Sequence, residues 1–375
     1  MTIWYNLVRT RIDLSVLEHN FRLIKANAPC PIPVVKSDAY GHGLGAVATM
    51  LARCGAQTMA IGTVREGMAL RLVPFSGKIL SLLGPLGHED YPALWEYDIM
   101  PLVGRKEQLE LLEEEGARQG TSLDIALALD TGMGRIGFTP KNMTWVRDWF
   151  RKSKWVHPYL ACSHLATADE PESREFVLQQ GRVFSSMCDS LEEGGIVLQR
   201  CLANSAAIQA YPELTFDAQR PGITLYGSSP FAGTSWEDKG KGFCPAMEVC
   251  TNIVSVHDLA KGAPISYGRT FYAPEDMRVA IVAVGYADNY SRGLSNKGEM
   301  LVHGQRAKIV GRVCMQMTAV DVTHIPGVAA GDTVYLLGGE GEHPISPEEL
   351  AGWWGTIPYE VFCLLGQNQR EYVGK

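Results

Sequence analysis

Eight short β-rich runs fill the first two-thirds of the chain: Ile32–Lys36, Met59–Thr63, Ile79–Leu83, Asp98–Val103, Leu123–Asp130, Tyr159–His164, Arg200–Ala203 and Thr215–Arg220. Segments of helical period lie between them, as in Leu14–Ala26, with apolar Leu14, Leu17, Phe21 and Ile24, and Lys106–Arg118, with Leu109 and Leu112. Eight strand-then-helix units over about 220 residues fit a parallel (β/α)8 barrel better than an open doubly wound sheet. The expected fold is α/β, an N-terminal TIM-type barrel over residues 10–234.

After about Gly233 the texture changes. Ala246–Asp258, Arg278–Val284, Glu299–Val302, Ala307–Val313, Thr318–Val322 and Thr333–Leu337 are β-type runs separated by Gly, Pro and Asn. They predict a C-terminal all-β domain over 235–375. It is joined by residues 1–9, because the opening run Ile3–Ile12 has strand character and precedes the first barrel helix. Ser235–Gly242 reads as a mobile connection, and Gly338–His343 as a glycine-bearing hairpin turn.

At 375 residues the chain is long enough for more than one core. With 46% hydrophobic and 20% charged residues it should fold throughout. A net charge of −7 argues against a nucleic-acid surface, and the run Glu113, Glu114, Glu115 reads as a solvated helix face. The nine cysteines show no C-x-x-C pair or zinc-like spacing, so no metal is expected, and most read as small buried hydrophobes in a reducing compartment. No stretch approaches a membrane span and the first residues lack a leader pattern, which makes the cytoplasm the default address.

In a barrel of this kind the site is built at the C-terminal ends of the strands. Lys36 ends the first strand and opens the glycine-bearing turn Ser37–Gly43. The fifth strand runs into Asp130–Gly137, where Arg135 offers a rigid fork of donors; the sixth ends at His164. Each alone has a plainer reading: a surface lysine, a structural turn, a hydrogen-bonded packing histidine. The seventh and eighth strands lead into Asn204–Ala207 and Arg220–Ile223, where Ser205 and the backbone of Gly222 and Ile223 can meet a phosphate dianion without a metal. A phosphate site together with a strand-end lysine points to pyridoxal phosphate, whose aldehyde a lysine can hold covalently.

Val34–Gly43 resembles the cofactor-attachment signature of alanine racemases. So do Asp130–Gly137, His164–Glu170, Ala203–Ala207, Arg220–Gly227, Ser266–Arg269, Val284–Asp288, Gly311–Met315 and Thr356–Val361, in family order from about Arg9 to Tyr372. The resemblance implies a head-to-tail homodimer with active sites shared between subunits and an amino-acid substrate. It implies that Lys36 holds the cofactor aldehyde, that Tyr40, Ser205, Gly222, Ile223 and Tyr359 contact the phosphate, and that Arg220 faces the pyridine nitrogen and Arg135 the phenolic oxygen. Tyr267 of the partner subunit would be the second base and the backbone of Met315 would help hold the substrate carboxylate. Asp169, Tyr286, Arg292 and Arg312 would line the entry corridor. Racemisation removes the Cα proton from one face and returns it on the other, which suits two bases; Lys36 would serve the D-isomer and Tyr267 the L-isomer, with His164 and Arg220 assisting the phenol. D-alanine for peptidoglycan would be the product.

Two departures stand out. Many members carry a carbamylated lysine where this chain has Ala128, so the support for Arg135 must come from elsewhere, and many have Asp where Gln316 stands. The end Leu365–Arg370 is also less basic than the family pattern. Three rivals follow: a racemase accepting serine or larger side chains, a barrel decarboxylase, which should place an acid rather than Arg220 at the pyridine nitrogen, and a non-catalytic cofactor-binding barrel, which would lack the β-domain.

Overall fold

Seven parallel strands, Thr58–Ile61, Lys78–Ser81, Ile99–Val103, Leu123–Ala128, Val156–Cys162, Gln199–Asn204 and Ala218–Arg220, pair in chain order. Their apolar residues are buried on both faces, as in Met59–Ile61 and Ile125–Ala128, which is the pattern of strands wrapped by helices. The segment expected as the first strand, Ile32–Lys36, makes bridges rather than a ladder: Pro31 with Gln219, and Val34 with Ala60. Ile32 N–H donates to Gln219 O and Val35 N–H to Ala60 O, each at 2.7 Å. Pro31 and Pro33 have no N–H to give, so regular pairing fails there even though the segment touches both edges of the sheet and brings it close to a closed barrel.

The computed structural model describes residues 7–374. The beginning of the expected run Ile3–Ile12, up to residue 6, lies outside the described residues. The chain divides into two units. The barrel unit comprises Glu18–Ala39 and Leu44–Phe243; the other takes the residues up to Leu17, Tyr40–Gly43 and everything from Cys244. Two limits differ from the sequence expectation. Strand Arg9–Asp13 pairs with Gln369–Val373 on one side and with the long strand Met247–Leu259 on the other, which carries the sheet unit past residue 9. Ser235–Gly242, expected as a mobile connection, goes with the barrel: Trp236 packs edge-on against Tyr211 and Phe231, with ring centroids 5.7 and 5.8 Å away.

Met247–Leu259 is the hub of the sheet unit, also pairing antiparallel with Met277–Val282 and Thr333–Leu337. The hairpin at Gly338–His343 closes through reciprocal Gly338–Ile345 bonds of 2.8 and 3.0 Å. The run expected at Ala307–Val313 is a shorter strand, Gln305–Lys308, followed by a single bridge from Ile309 to Val320 before the backbone turns at Gly311 with φ +80°. The unit is mostly sheet rather than all-β. It holds the helices Pro347–Trp354 and Pro358–Leu365, each begun by a proline, the first with a Ser346/Glu349 capping box. Among the described residues no helix is long and apolar enough to cross a membrane.

Candidate active site

Lys36 leads directly into a left-handed turn. Ser37, Asp38, Ala39 and Tyr40 all have φ of 54°, a conformation that costs an L-residue about 1–2 kcal/mol. Three bonds on the barrel side hold it: Ala39 N–H to Val35 O at 2.9 Å, Leu44 N–H to Asp38 Oδ1 at 2.6 Å and Ser37 N–H to Glu66 Oε1 at 2.7 Å. The other oxygen of Glu66 accepts from Gly62 N–H at 2.6 Å. One carboxylate therefore joins the first and second strand ends, and the geometry at Lys36 is fixed by tertiary bonds that outweigh local preference.

Four donors gather after the seventh and eighth strands. The buried Ser205 hydroxyl accepts from Gly222 N–H at 2.8 Å and from Thr224 Oγ1 at 3.1 Å, with Thr224 N 3.5 Å away. Hydroxyls and amides converging without a carboxylate suit a phosphate oxygen. Ile223, buried, opens a short 3-10 turn just after Gly222. The donor set therefore fits the phosphate of the expected cofactor, and a lysine at a neighbouring strand end fits its aldehyde.

The charges of Arg220, Arg135 and Lys36 all act on His164. Burial pushes His164 down to about 3, and the charges of Arg220, Arg135 and Lys36 push in the same direction. The ring is therefore neutral among three cations, surroundings that favour an anionic ligand. The sign of the stability effect follows. In the unfolded chain His164 titrates near its ordinary 6.5. The unfolded state therefore binds the extra proton, and stability fully present above 6.5 is lost as pH falls through 6.5 towards 3. The melting temperature of the native chain should drop more than that of His164→Gln between about pH 7 and about pH 5; parallel melting curves would contradict this.

A buried polar chain that sequence reading missed supports these groups. Gln180, wholly buried in the helix Arg174–Glu193, donates to His164 O at 3.0 Å and to Thr131 Oγ1 at 3.3 Å, and accepts from Ala166 N–H at 3.0 Å. Thr131 in turn lies 2.9 Å from Ser163 Oγ. The only signal for Gln180 was a polar residue on an otherwise apolar helix face. Arg135 itself is exposed and, among the described residues, makes no hydrogen bond or ion pair. Ala128 is buried, and its methyl carries no polar group that could support Arg135. Asp169 is exposed on the loop after the sixth strand.

The sheet unit assembles its own cluster. Tyr286 N–H donates to Cys314 O at 3.0 Å and Ala287 N–H to Met315 O at 2.9 Å. Ser266 Oγ donates to Arg312 O at 2.7 Å, Val313 N–H to Ser295 Oγ at 3.0 Å, and Ser295 Oγ to Arg292 O at 2.6 Å. Tyr267, Tyr286, Arg292, Arg312 and Met315 thus come from segments stitched together by backbone bonds and by the hydroxyls of Ser266 and Ser295. Tyr267 and Met315 are 71% and 58% exposed, large apolar surfaces offered outward. Gln316 is exposed beside them. Tyr40 and Tyr359 meet with ring centroids 5.8 Å apart, and burial pushes the Tyr40 phenol up, with Tyr359 and Cys363 adding to the shift.

Residues 12–230 match the profile of the alanine racemase N-terminal domain and 246–373 that of the C-terminal domain. The chain belongs to the alanine racemase family. It is 50% identical over 372 residues to the alanine racemase of Nitratidesulfovibrio vulgaris strain Miyazaki F, which spans 99% of this chain and 100% of that one. The alanine racemase structure from D-cycloserine-producing Streptomyces lavendulae superposes with a TM-score of 0.91 at 30% identity, over 100% of this chain and 98% of that one. The Bartonella henselae alanine racemase, whose structure holds covalently bound pyridoxal phosphate, superposes with a TM-score of 0.86 at 26% identity, over 98% and 99%.

Proposed function

We infer that this chain interconverts L- and D-alanine as a pyridoxal-phosphate-dependent isomerase. The observation that carries the reading is the family match running through both the barrel and the sheet domain, because a two-sided reaction needs groups from each. Bound pyridoxal phosphate supplies an electron reservoir for the charge left at Cα. Lys36 anchors it and handles the Cα proton on one face; Tyr267 of the partner subunit handles it on the other. Ser205, Gly222 and Ile223, with Tyr40 and Tyr359, hold the phosphate. Arg220 would face the ring nitrogen, where its fixed positive charge would disfavour a proton. Arg135 would face the cofactor's phenolic oxygen and, with the Met315 backbone, orient the substrate carboxylate, while neutral His164 and Arg220 would assist the phenol of Tyr267. Asp169, Tyr286, Arg292 and Arg312 line the approach.

The outward-facing Tyr267 and Met315 support a homodimer in which each sheet unit completes its partner's site. The cytoplasm is the proposed location and D-alanine for peptidoglycan the proposed purpose. The test is incubation with pyridoxal phosphate and L-alanine in deuterated water, with serine in parallel. Loss of optical rotation with deuterium at Cα of both alanine isomers is expected, with serine slower. A cofactor-bound protein without turnover would reduce the chain to a binding protein, and faster serine turnover would change the substrate. Because one extra hydroxyl separates pocket affinities by only about 1–3 kcal/mol, both amino acids have to be measured.

A further inference from the structure

Arg220 is buried, and among the described residues no carboxylate pairs with it. Arginine cannot shed its proton and accepts no hydrogen bonds, so a buried guanidinium needs compensating acceptors from its surroundings. Those acceptors are unusual. Nη1 donates to Cys201 O and to Cys201 Sγ, both at 2.8 Å, and Nη2 donates to Ser163 O. Cys201 stands directly opposite Cys162 in the ladder between the sixth and seventh strands. Both sulfurs are buried, and both act on the guanidinium. Sequence reading took most of the cysteines as small buried hydrophobes; only three of the nine are buried, and two of those three meet at Arg220.

We propose that Cys201 is a positioning residue for the reaction: its sulfur, bonded to Arg220 and paired with Cys162, fixes the guanidinium and serves as its counter-charge, setting how much positive charge the cofactor's ring nitrogen meets. This rests on the placement of Arg220 proposed above. The groups facing Cys201 come from three elements: Cys162 on one neighbouring strand, Asp217 and Arg220 at the other, and Cys188 on the helix Arg174–Glu193, which acts through Cys162. Burial alone would raise the Cys201 thiol. The Cys162 hydrogen bond and the Arg220 charge outweigh it and bring Cys201 down to about 7, while the same hydrogen bond pushes Cys162 up. The two sulfurs therefore share one proton near neutrality, with Cys162 as the donor and Cys201 as the thiolate. Below that point a second proton settles on the pair and Arg220 loses its counter-charge.

The experiment titrates the pyridoxal-phosphate-loaded protein across neutral pH. It reads thiolate absorbance in the ultraviolet and the position of the cofactor's visible band, alongside kcat and KM for alanine. The native protein should show a common midpoint near 7 in both optical signals. C201S keeps an acceptor but no titrating sulfur. It should lose that midpoint, with kcat down on the order of tenfold and KM within about twofold. C162A leaves the bond between Arg220 and Cys201 and removes the hydrogen bond that Cys162 donates, so its midpoint should move to higher pH. A native midpoint and band persisting in C201S would overturn the proposal. If C201S fails to fold, C162A decides, and an unmoved midpoint there overturns it equally. A native protein that binds no pyridoxal phosphate would overturn the functional reading itself, whereas native racemisation with unaltered variant optics would sink only the role of Cys201.

Discussion

Lys36→Ala should bind pyridoxal phosphate without a covalent link and lose turnover on the order of 10⁴-fold or more. Two roles fall together. The variant has no amine to anchor the aldehyde and no base on that face, whereas the phosphate donors around Ser205 remain intact. The check is borohydride reduction followed by peptide mass analysis. In the native protein the cofactor should become locked onto the peptide containing Lys36, and in the variant it should wash out on denaturation. Cofactor locked elsewhere on the variant, or turnover within about tenfold of native, would move the attachment away from Lys36.

Tyr267→Phe tests the other face, and the measurement has to be chosen with care. Two mirror-image substrates have an equilibrium constant of unity, so any variant must lose kcat/KM equally in both directions. The asymmetry appears only in exchange of the Cα proton without inversion. With the phenol gone, washing of deuterium into L-alanine should slow by about 10²–10⁴-fold, and washing into D-alanine by much less. Equal losses for the two isomers would make Tyr267 a binding group rather than a base. The chain gives this residue an unusual seat: Ser266 before it has φ +66° and Gly268 after it φ +73°, so the tyrosine sits at the tip of a sharply turned loop.

The barrel was legible because most of its strands are rich in apolar residues and are spaced by helix-length segments, and the lysine, arginine and histidine singled out in the sequence follow or end such segments. What escaped notice did so for identifiable reasons. The first barrel segment carries two prolines, which leave its β-character readable and its ladder broken. The helices at Pro347 and Pro358 are short, and their capping signals were overshadowed by the β-rich texture before them. Gln180, Cys162 and Cys201 are separated in sequence from the residues they hold; the packing of the helix Arg174–Glu193 brings Gln180 to His164, and the register of neighbouring strands brings Cys162 and Cys201 together at Arg220. Glu66 is similar: a capping residue of its own helix that also clamps the turn after Lys36.

A hoop opens where it is stitched least, and in this barrel that place is the stave from Pro31 to Lys36, held by two bridges where every other junction has a ladder. The residue proposed to carry the cofactor stands at the end of that loose stave, and three of the groups proposed to grip its phosphate, Ser205, Gly222 and Ile223, follow directly on the two staves leading up to it. A ligand tied at one end and gripped at the other spans the weak seam like a clasp. Occupancy of the site and closure of the hoop are then linked equilibria, each favouring the other.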